Sequence, residues 1–354
     1  MASEPYFVDA PCHISAIEKG TLVIHPPGFF LFNATGFLIS HLFHVSAGSA
    51  LHILNVSFSV SGVLVCYSLL SRLLAGSSPF WLSLVYACSP IVWFSGDIHS
   101  SYAAMTFFAP LIILVLECER EFVWGCVVWA LMTGFRPSGG VFVLPWMVFQ
   151  SLRFSWKERL AGILVAFAVV IAWWVPTAER YRGGLFVPLS SSQEQVSGLA
   201  QGVLSGHLGL HAAVNAVHAI AGIIMTWGLL TPTVLLGVIT GMRNATARSM
   251  SIFLAPGLVF FLLYYFSDGP YLAYMAIAGI VLAGLHLQTR PPAIQRAIYV
   301  IATCASASLH VSGPSQRQEP VYASNSDRCI LREIYRPLSQ GTMGSSVSEI
   351  ARSM

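Results

Sequence analysis

The chain has 354 residues, of which 55% are hydrophobic and only 9% are charged. Soluble domains carry about 25% charged residues, so this composition excludes a water-soluble globular protein of this length. The formal net charge of +3 is small and the basic residues are dispersed along the chain, which argues against nucleic acid as a partner.

The first 47 residues combine polar positions with an apolar stretch at 28–45. Asp9 precedes this stretch, and so does an HPPG motif that begins at His25. Two consecutive prolines restrict the backbone and hold His25 in a fixed direction at the start of the following helix. Because Asn33 and several other polar residues interrupt 28–45, we predict an amphipathic helix in the membrane interface. A membrane-spanning helix there would instead place Asp9 on the cytoplasmic side.

The rest of the chain contains apolar runs that are long enough, or nearly so, to cross a bilayer, which takes about 20 residues per helix. These runs lie at about 48–71, 79–95, 101–116, 122–134, 138–150, 160–177, 212–240, 252–267, 270–287 and 294–311. They predict an all-α polytopic membrane protein with about nine or ten transmembrane helices. The runs 122–134 and 138–150 flank GFRPSGG, and they are either two short tilted spans or one broken helix.

The predicted organisation has three parts. Residues 1–47 form a first extracytoplasmic loop with the interfacial helix, and 48–311 form a multi-span membrane domain that includes an extracytoplasmic loop at 178–211. Residues 312–354 form a short C-terminal tail.

The distribution of lysine and arginine predicts the orientation, because basic loops are retained in the cytoplasm. With alternating spans, nine basic residues fall on one side and four on the other. The larger set, which we assign to the cytoplasm, is Arg72, Arg120, Arg153, Lys157, Arg159, Arg243, Arg248, Arg290 and Arg296. The smaller set is Lys19, Arg136, Arg180 and Arg182. The polar segments SGDIHSS (95–101) and GFRPSGG (134–140) then lie outside, and any chemistry is expected there.

The first segment contains an aspartate, then an Ala-Ile pair and a glycine, then HPPG and an aromatic-rich helix. This order of features resembles the first extracytoplasmic loop of GT-C glycosyltransferases. These are the bacterial relatives of protein O-mannosyltransferases and lipid A aminoarabinose transferases. Four later patches resemble the family in the same order, and together the patches touch most of residues 9–290. They are SPIVWFSGDIHSSYA (89–103), GFRPSGGVFVLPW (134–146), AWWVPTAERYRGGL (172–185) and SDGPYLAYMAIAGIVLAG (267–284).

The resemblance implies transfer of a sugar from a polyprenyl-phosphate donor to a lipid, glycan or protein acceptor outside the cytoplasmic membrane. Asp9 matches the aspartate that acts as general base on the acceptor hydroxyl, which is too weak a nucleophile unaided. The leaving lipid phosphate requires basic side chains, and arginine suits phosphate through its bidentate fork. Arg136 is the first candidate, followed by Arg180 and Arg182, although these two are also compatible with ordinary loop charges.

Four further residues, His25, Asp97, His99 and Tyr102, are expected to line the same substrate pocket. Simpler interpretations exist for two of the candidates. Asp97 would also suit the N-cap of a helix that begins near 101, and Arg136 would also suit a snorkelling interface residue.

The sequence departs from the family pattern at its beginning. The family's first-loop aspartate follows a membrane helix, but only eight residues precede Asp9 here, so the resemblance predicts a chain that lacks the first transmembrane helix. Ala10 stands where several relatives have a second acidic residue, which leaves a divalent metal an open question, and no cofactor is assigned. Two alternatives therefore remain, a non-catalytic remnant of such an enzyme and a multi-span transporter or flippase. A transporter predicts internal repeats and charges at mid-membrane depth, and the sequence has no such repeat.

Overall fold

The computed structural model describes residues 9–24, 29–76, 78–180, 217, 220, 222–224, 226–263 and 269–311. Within these ranges the secondary structure is helical and no strand is present. The first nine α-helices are α1 (Ala10–Glu18), α2 (Phe30–Phe43), α3 (Ala47–Leu73), α4 (Ser78–Ala87), α5 (Pro90–Asp97), α6 (Tyr102–Ile113), α7 (Phe122–Phe135), α8 (Pro137–Ser151) and α9 (Trp156–Arg180). They are followed by α10 (Thr231–Gly241), α11 (Ala245–Leu263), α12 (Ala276–Leu287) and α13 (Pro292–Val311). A π-helical turn (Leu114–Glu119) extends α6, and 3₁₀ turns at Gly228–Leu230 and Gly269–Met275 precede α10 and α12.

The prediction of an all-α membrane fold is confirmed. Three helical segments in the described chain are long and apolar enough to cross a membrane: Ala47–Leu73, Tyr102–Glu119 and Trp156–Arg180. Five shorter apolar helices accompany them, at Phe30–Phe43, Phe122–Phe135, Gly228–Gly241, Ala245–Phe260 and Leu272–Leu287. The 27 residues of α3 extend over about 40 Å, which exceeds a hydrocarbon core of about 30 Å.

The predicted helix at 28–45 is present as α2, and its polar residues have structural roles. Asn33 is buried where α2 packs against α1, accepting a hydrogen bond from His13 Nδ1 at 2.7 Å and donating to the Leu22 carbonyl at 3.1 Å. Leu42 and Phe43, at the far end, are exposed. Asn33 therefore connects α2 to the first segment, while the position of α2 in the bilayer stays a prediction.

One predicted span is not a single continuous helix. The run 79–95 forms two helices, α4 and α5, because Pro90 cannot donate a backbone hydrogen bond and instead begins a new helix. Ser89 occupies the break, and its hydroxyl donates to the Thr226 carbonyl at 2.8 Å.

The two short runs around GFRPSGG form a helical hairpin, not one broken helix. Trp129 Nε1 in α7 donates to the Gly140 carbonyl in α8 at 2.9 Å. In one continuous helix these residues would be about 16 Å apart along the axis. The chain therefore reverses at Arg136, between the end of α7 and the start of α8.

The bundle has two distinct ends. Arg72 at the end of α3 pairs with Glu119, and Arg153 after α8 pairs with Glu117 at 2.6 Å. Gly284, near the end of α12, packs so closely against Leu74, which directly follows α3, that a Cβ atom at Gly284 would overlap the Leu74 side chain. We call this the basic end, because the arginines predicted to be cytoplasmic gather there.

The opposite end, which we call the site end, is where α3 begins. It holds the 98–101 link between α5 and α6 and the reversal at Arg136. His99 Nε2 lies 3.8 Å from the position of a Cβ at Gly48, in the first turn of α3. Asn55, two turns further along α3, is buried and donates to the carbonyls of Ile98 and Ser100. These contacts fix the 98–101 link against α3.

Candidate functional site

Arg136 owes its position to the residue that follows it. A residue before proline avoids the α-helical region, and Arg136 is extended, with φ −147° and ψ 98°. Pro137 then occupies the first turn of α8, where its missing N–H costs nothing. Gly139 lets α8 approach α6 closely, since a Cβ there would overlap the Met105 sulfur. The sequence FRPSGG thus ends one helix, places one arginine at the bend and begins the next helix.

The Arg136 guanidinium is only 3% exposed. Its Nη1 donates to Ser101 Oγ at 2.9 Å, and its Cζ lies 3.3 Å from the Tyr102 ring centroid and 5.6 Å from that of Phe29. A charge-assisted hydrogen bond and aromatic faces are favourable surroundings for a desolvated guanidinium. The interpretation of Arg136 as a snorkelling residue is therefore wrong, because its charge is directed into the protein.

Asp9 reaches the same end of the bundle through α1. It occupies the N-cap position, its side chain makes no capping hydrogen bond, and its carbonyl accepts from the His13 amide at 3.0 Å. The buried His13 ring lies 5.5 Å from the Phe29 ring, which also lies beside Arg136. Phe29 thus joins the first turn of α1, where Asp9 is half-buried, to the arginine at the bend.

His99 is 8% exposed in the link between α5 and α6, and its ring centroid lies 6.3 Å from that of His52. Burial lowers the pKa of His99, and the neighbouring His52 lowers it further, whereas the Asp97 carboxylate and a hydrogen bond with the Gly48 backbone act in the opposite direction. Since burial dominates, the His99 ring is neutral at pH 7. A neutral imidazole offers one donor and one acceptor to a sugar hydroxyl.

Asp97 is half-buried and is the last residue of α5. The N-cap of α6 is Ser101, so the alternative in which Asp97 caps that helix is wrong. Its carboxylate instead belongs to the surroundings of His99.

The structure thus brings several of the sequence-predicted residues to one end. Arg136 lies beside both Phe29 and Tyr102, and Asp9 lies one helical turn before His13, which contacts Phe29. Asp97 and His99 occupy the adjoining link. Arg180 is exposed at the end of α9, whose Trp173 donates to the carbonyl of Ala130, six residues before Arg136. His25 and Arg182 lie outside the described residues.

Sequence reasoning missed Ser101, His13 and Asn55, which are all buried here. Asn55 could have been singled out because it is a polar residue inside an otherwise apolar run. Ser101 could have been singled out because it directly precedes Tyr102, and a serine hydroxyl can accept a hydrogen bond from a buried guanidinium.

A metal site finds no support in the described part of the chain, which holds no group of three or more His, Cys, Asp or Glu able to bind an ion. The question of a divalent metal therefore stays where the sequence left it.

Neither the models of known protein families nor the sequences of curated proteins match this chain. Its fold is similar to that of ArnT from Cupriavidus metallidurans in the apo state. The TM-score is 0.58 at 14% sequence identity, and the similarity covers 87% of this chain and 60% of the ArnT chain. The chain thus spans about 60% of the length of that protein and has a GT-C-like membrane fold.

Proposed function

We propose that this chain is a GT-C-type membrane glycosyltransferase. It moves a sugar from a polyprenyl-phosphate donor to a hydroxyl of an acceptor on the extracytoplasmic side of the cytoplasmic membrane. The observation that carries the proposal is the buried Arg136 guanidinium, held by Ser101 and Tyr102 at the same end of the bundle as Asp9. The ArnT-like fold supports the same reaction class.

In the proposed reaction, the Asp9 carboxylate takes the proton of the acceptor hydroxyl as the acceptor oxygen attacks the anomeric carbon. The bond from that carbon to the donor phosphate oxygen breaks, and its electron pair leaves with the polyprenyl phosphate. A single displacement of this kind inverts the anomeric configuration. The position of Asp9 supports the role, because it is half-buried at the N-terminus of α1, at the same end of the bundle as Arg136.

Arg136 stabilises the charge that develops on the leaving phosphate. Because the guanidinium is surrounded by protein, its field acts through a medium of lower dielectric than water and is felt further away. Ser101 and Tyr102 fix its direction before the reaction begins. Arg180, exposed at the end of α9, and Arg182, two residues further, complete the basic surroundings of the donor phosphate.

The neutral His99 ring, Asp97 and Tyr102 bind sugar or acceptor hydroxyls, and His25 contributes from the first segment. The acceptor is a lipid, a glycan or a protein, and the substrates reach the site from the surrounding membrane lipid.

The orientation follows from charge. Nine basic residues assigned to one side place the basic end in the cytoplasm, which puts the site end outside. Residues 1–47 then form the first extracytoplasmic loop, 48–311 the multi-pass domain and 312–354 the tail.

The test compares two carboxylates at opposite ends of α1. Asp9→Asn and Glu18→Gln each remove one negative charge, but Glu18 is exposed and ends the helix. The purified full chain is reconstituted with polyprenyl-phosphate-linked sugars labelled in the sugar, together with an extract of envelope lipids and proteins. Transfer by Asp9→Asn should fall by about a hundredfold or more, the usual contribution of a general base, while Glu18→Gln stays near wild type. Full activity in a correctly inserted Asp9→Asn protein would refute the proposed mechanism.

A further inference from the structure

A cavity lies at the basic end, on the opposite end of the bundle from Arg136. It has a volume of about 460 Å³ and opens between the end of α10, the start of α11 and the end of α12. Its polar lining consists of Thr240, Asn244, His286, Thr289 and Arg290.

The lining offers donors and a cation but no carboxylate. His286 Nδ1 and Thr240 Oγ1 are 3.3 Å apart, and Thr289 Oγ1 donates to the His286 carbonyl at 2.7 Å. Asn244 Oδ1 accepts from the Thr246 amide at 2.9 Å and caps α11, so its amide nitrogen remains a donor. The Arg290 side chain is exposed at the rim. Thr240 Oγ1 likewise donates to the Leu236 carbonyl at 2.7 Å, so the donors left for a ligand are the Asn244 amide and the Arg290 guanidinium. An amide and a guanidinium without an acidic neighbour form a site for an oxyanion.

The positive charge around the cavity is not neutralised within the described chain. Arg243 and Arg248 flank Asn244 on either side, are exposed and, like Arg290, form no ion pair with a described residue. By contrast, Arg72 and Arg153 at the same end each have a glutamate partner. The three arginines therefore leave a local surplus of positive charge beside the cavity.

The helix that forms one wall of the cavity also has an exposed apolar face. Ile239 is 72% exposed next to Thr240, and Leu236 on the same helix and Met242 directly after it are exposed too. An apolar strip that leads to a cationic rim matches a molecule with a hydrocarbon part and an anionic head. Basic pockets between helices at the cytoplasmic face are typical sites for such head groups.

We propose that this cavity binds the phosphate of an anionic phospholipid, with Arg290 as its main cationic contact and the acyl chains along α10. This lipid site is separate from the proposed transfer site and does not depend on the transfer reaction. Its chemistry, a phosphate beside an arginine and an amide, would also suit a free phosphate ion, and the experiment distinguishes the two sources.

The experiment measures binding of phosphatidylglycerol to the delipidated full chain in detergent by native mass spectrometry. Arg290→Gln should weaken that affinity about fivefold, the effect of losing one basic contact of about 1 kcal/mol. The matched control is Arg296→Gln, which removes an exposed arginine of α13 that does not line the cavity. Arg290→Lys, which keeps the charge, should retain most of the affinity.

Phosphatidylcholine should bind equally to wild type and Arg290→Gln, and inorganic phosphate at millimolar concentration should not displace phosphatidylglycerol. An unchanged phosphatidylglycerol affinity in Arg290→Gln would overturn the proposal, and so would an equal loss in Arg296→Gln. Complete displacement by inorganic phosphate would show a simple anion site and would also overturn it. Sugar transfer plays no part in these measurements, so their failure and a failure of the proposed transfer activity are distinguishable.

Discussion

The contact between Arg136 and Tyr102 gives the most specific prediction for the site end. The guanidinium carbon lies 3.3 Å from the centroid of the buried Tyr102 ring, a geometry in which a desolvated cation–π contact contributes about 2 kcal/mol. Single substitutions would not isolate this contact, because removing Arg136 also removes the cost of burying its charge. A double-mutant cycle with Arg136→Gln and Tyr102→Leu isolates it, and we expect a coupling free energy of about 2 kcal/mol.

The assay is reversible unfolding in mixed micelles, followed by far-UV circular dichroism, for the wild type, both single variants and the double variant. The control cycle pairs Arg136→Gln with Tyr299→Leu. Tyr299 is also a buried tyrosine but lies in α13, which begins at the basic end, so its coupling to Arg136 should be close to zero.

A second cycle with Ser101→Ala tests the hydrogen bond from Arg136 Nη1, which measures 2.9 Å. A hydrogen bond to a charged group contributes about 1.5–3 kcal/mol, so a coupling in that range is expected. Coupling near zero in both cycles would mean that Arg136 is directed toward solvent, and the reasoning that makes it a preorganised cation beside the donor phosphate would fail.

Two further predictions concern other parts of the bundle. Glu117 and Glu119 share one π-helical turn and each pairs with an arginine, but the Glu117 side chain is 5% exposed and that of Glu119 is 43% exposed. Glu117→Gln should therefore lower the free energy of unfolding, measured in the same micelles, by about 2–3 kcal/mol. Glu119→Gln should lower it by less than about 1 kcal/mol. Equal effects of the two substitutions would contradict the reasoning from burial. For His99, the folded-state pKa is below its ordinary value, so the unfolded chain binds the proton more readily and stability falls as the pH drops below about 6.5. His99→Gln should flatten that part of the stability profile, and an unchanged profile would show that other groups cause it.

The all-α membrane fold was predictable because apolar runs and basic flanks are properties of the chain alone. The gathering of basic residues at one end follows from the same alternation of spans. The break before Pro90 was missed because the flanking residues are as apolar as those of a continuous helix. The reversal at Arg136 was left open, since a proline flanked by glycines is compatible with a kink or a hairpin. The contact from Trp129 to Gly140 decides between them.

The candidate site was only partly predictable for a related reason. Arg136 and Tyr102 could be singled out from their neighbours in sequence, but their contact depends on how the helices pack. The hydrogen bond from Arg136 to Ser101, for example, joins residues that are 35 positions apart in the chain. His13 and Asn33, 20 residues apart, form a buried hydrogen bond that no local pattern announces. Residue types suggest the chemistry, whereas tertiary contacts determine which of them share a site.

The proposed transfer is tested most directly by following the lipid donor itself. The wild-type chain, reconstituted in liposomes with a polyprenyl-phosphate sugar labelled in both sugar and phosphate, should release one polyprenyl phosphate for each sugar moved to an acceptor. The sugar should arrive without the phosphate and with inverted anomeric configuration. Release of a sugar phosphate, or movement of the intact donor across the bilayer without cleavage, would contradict the proposal, and the second result would favour a flippase.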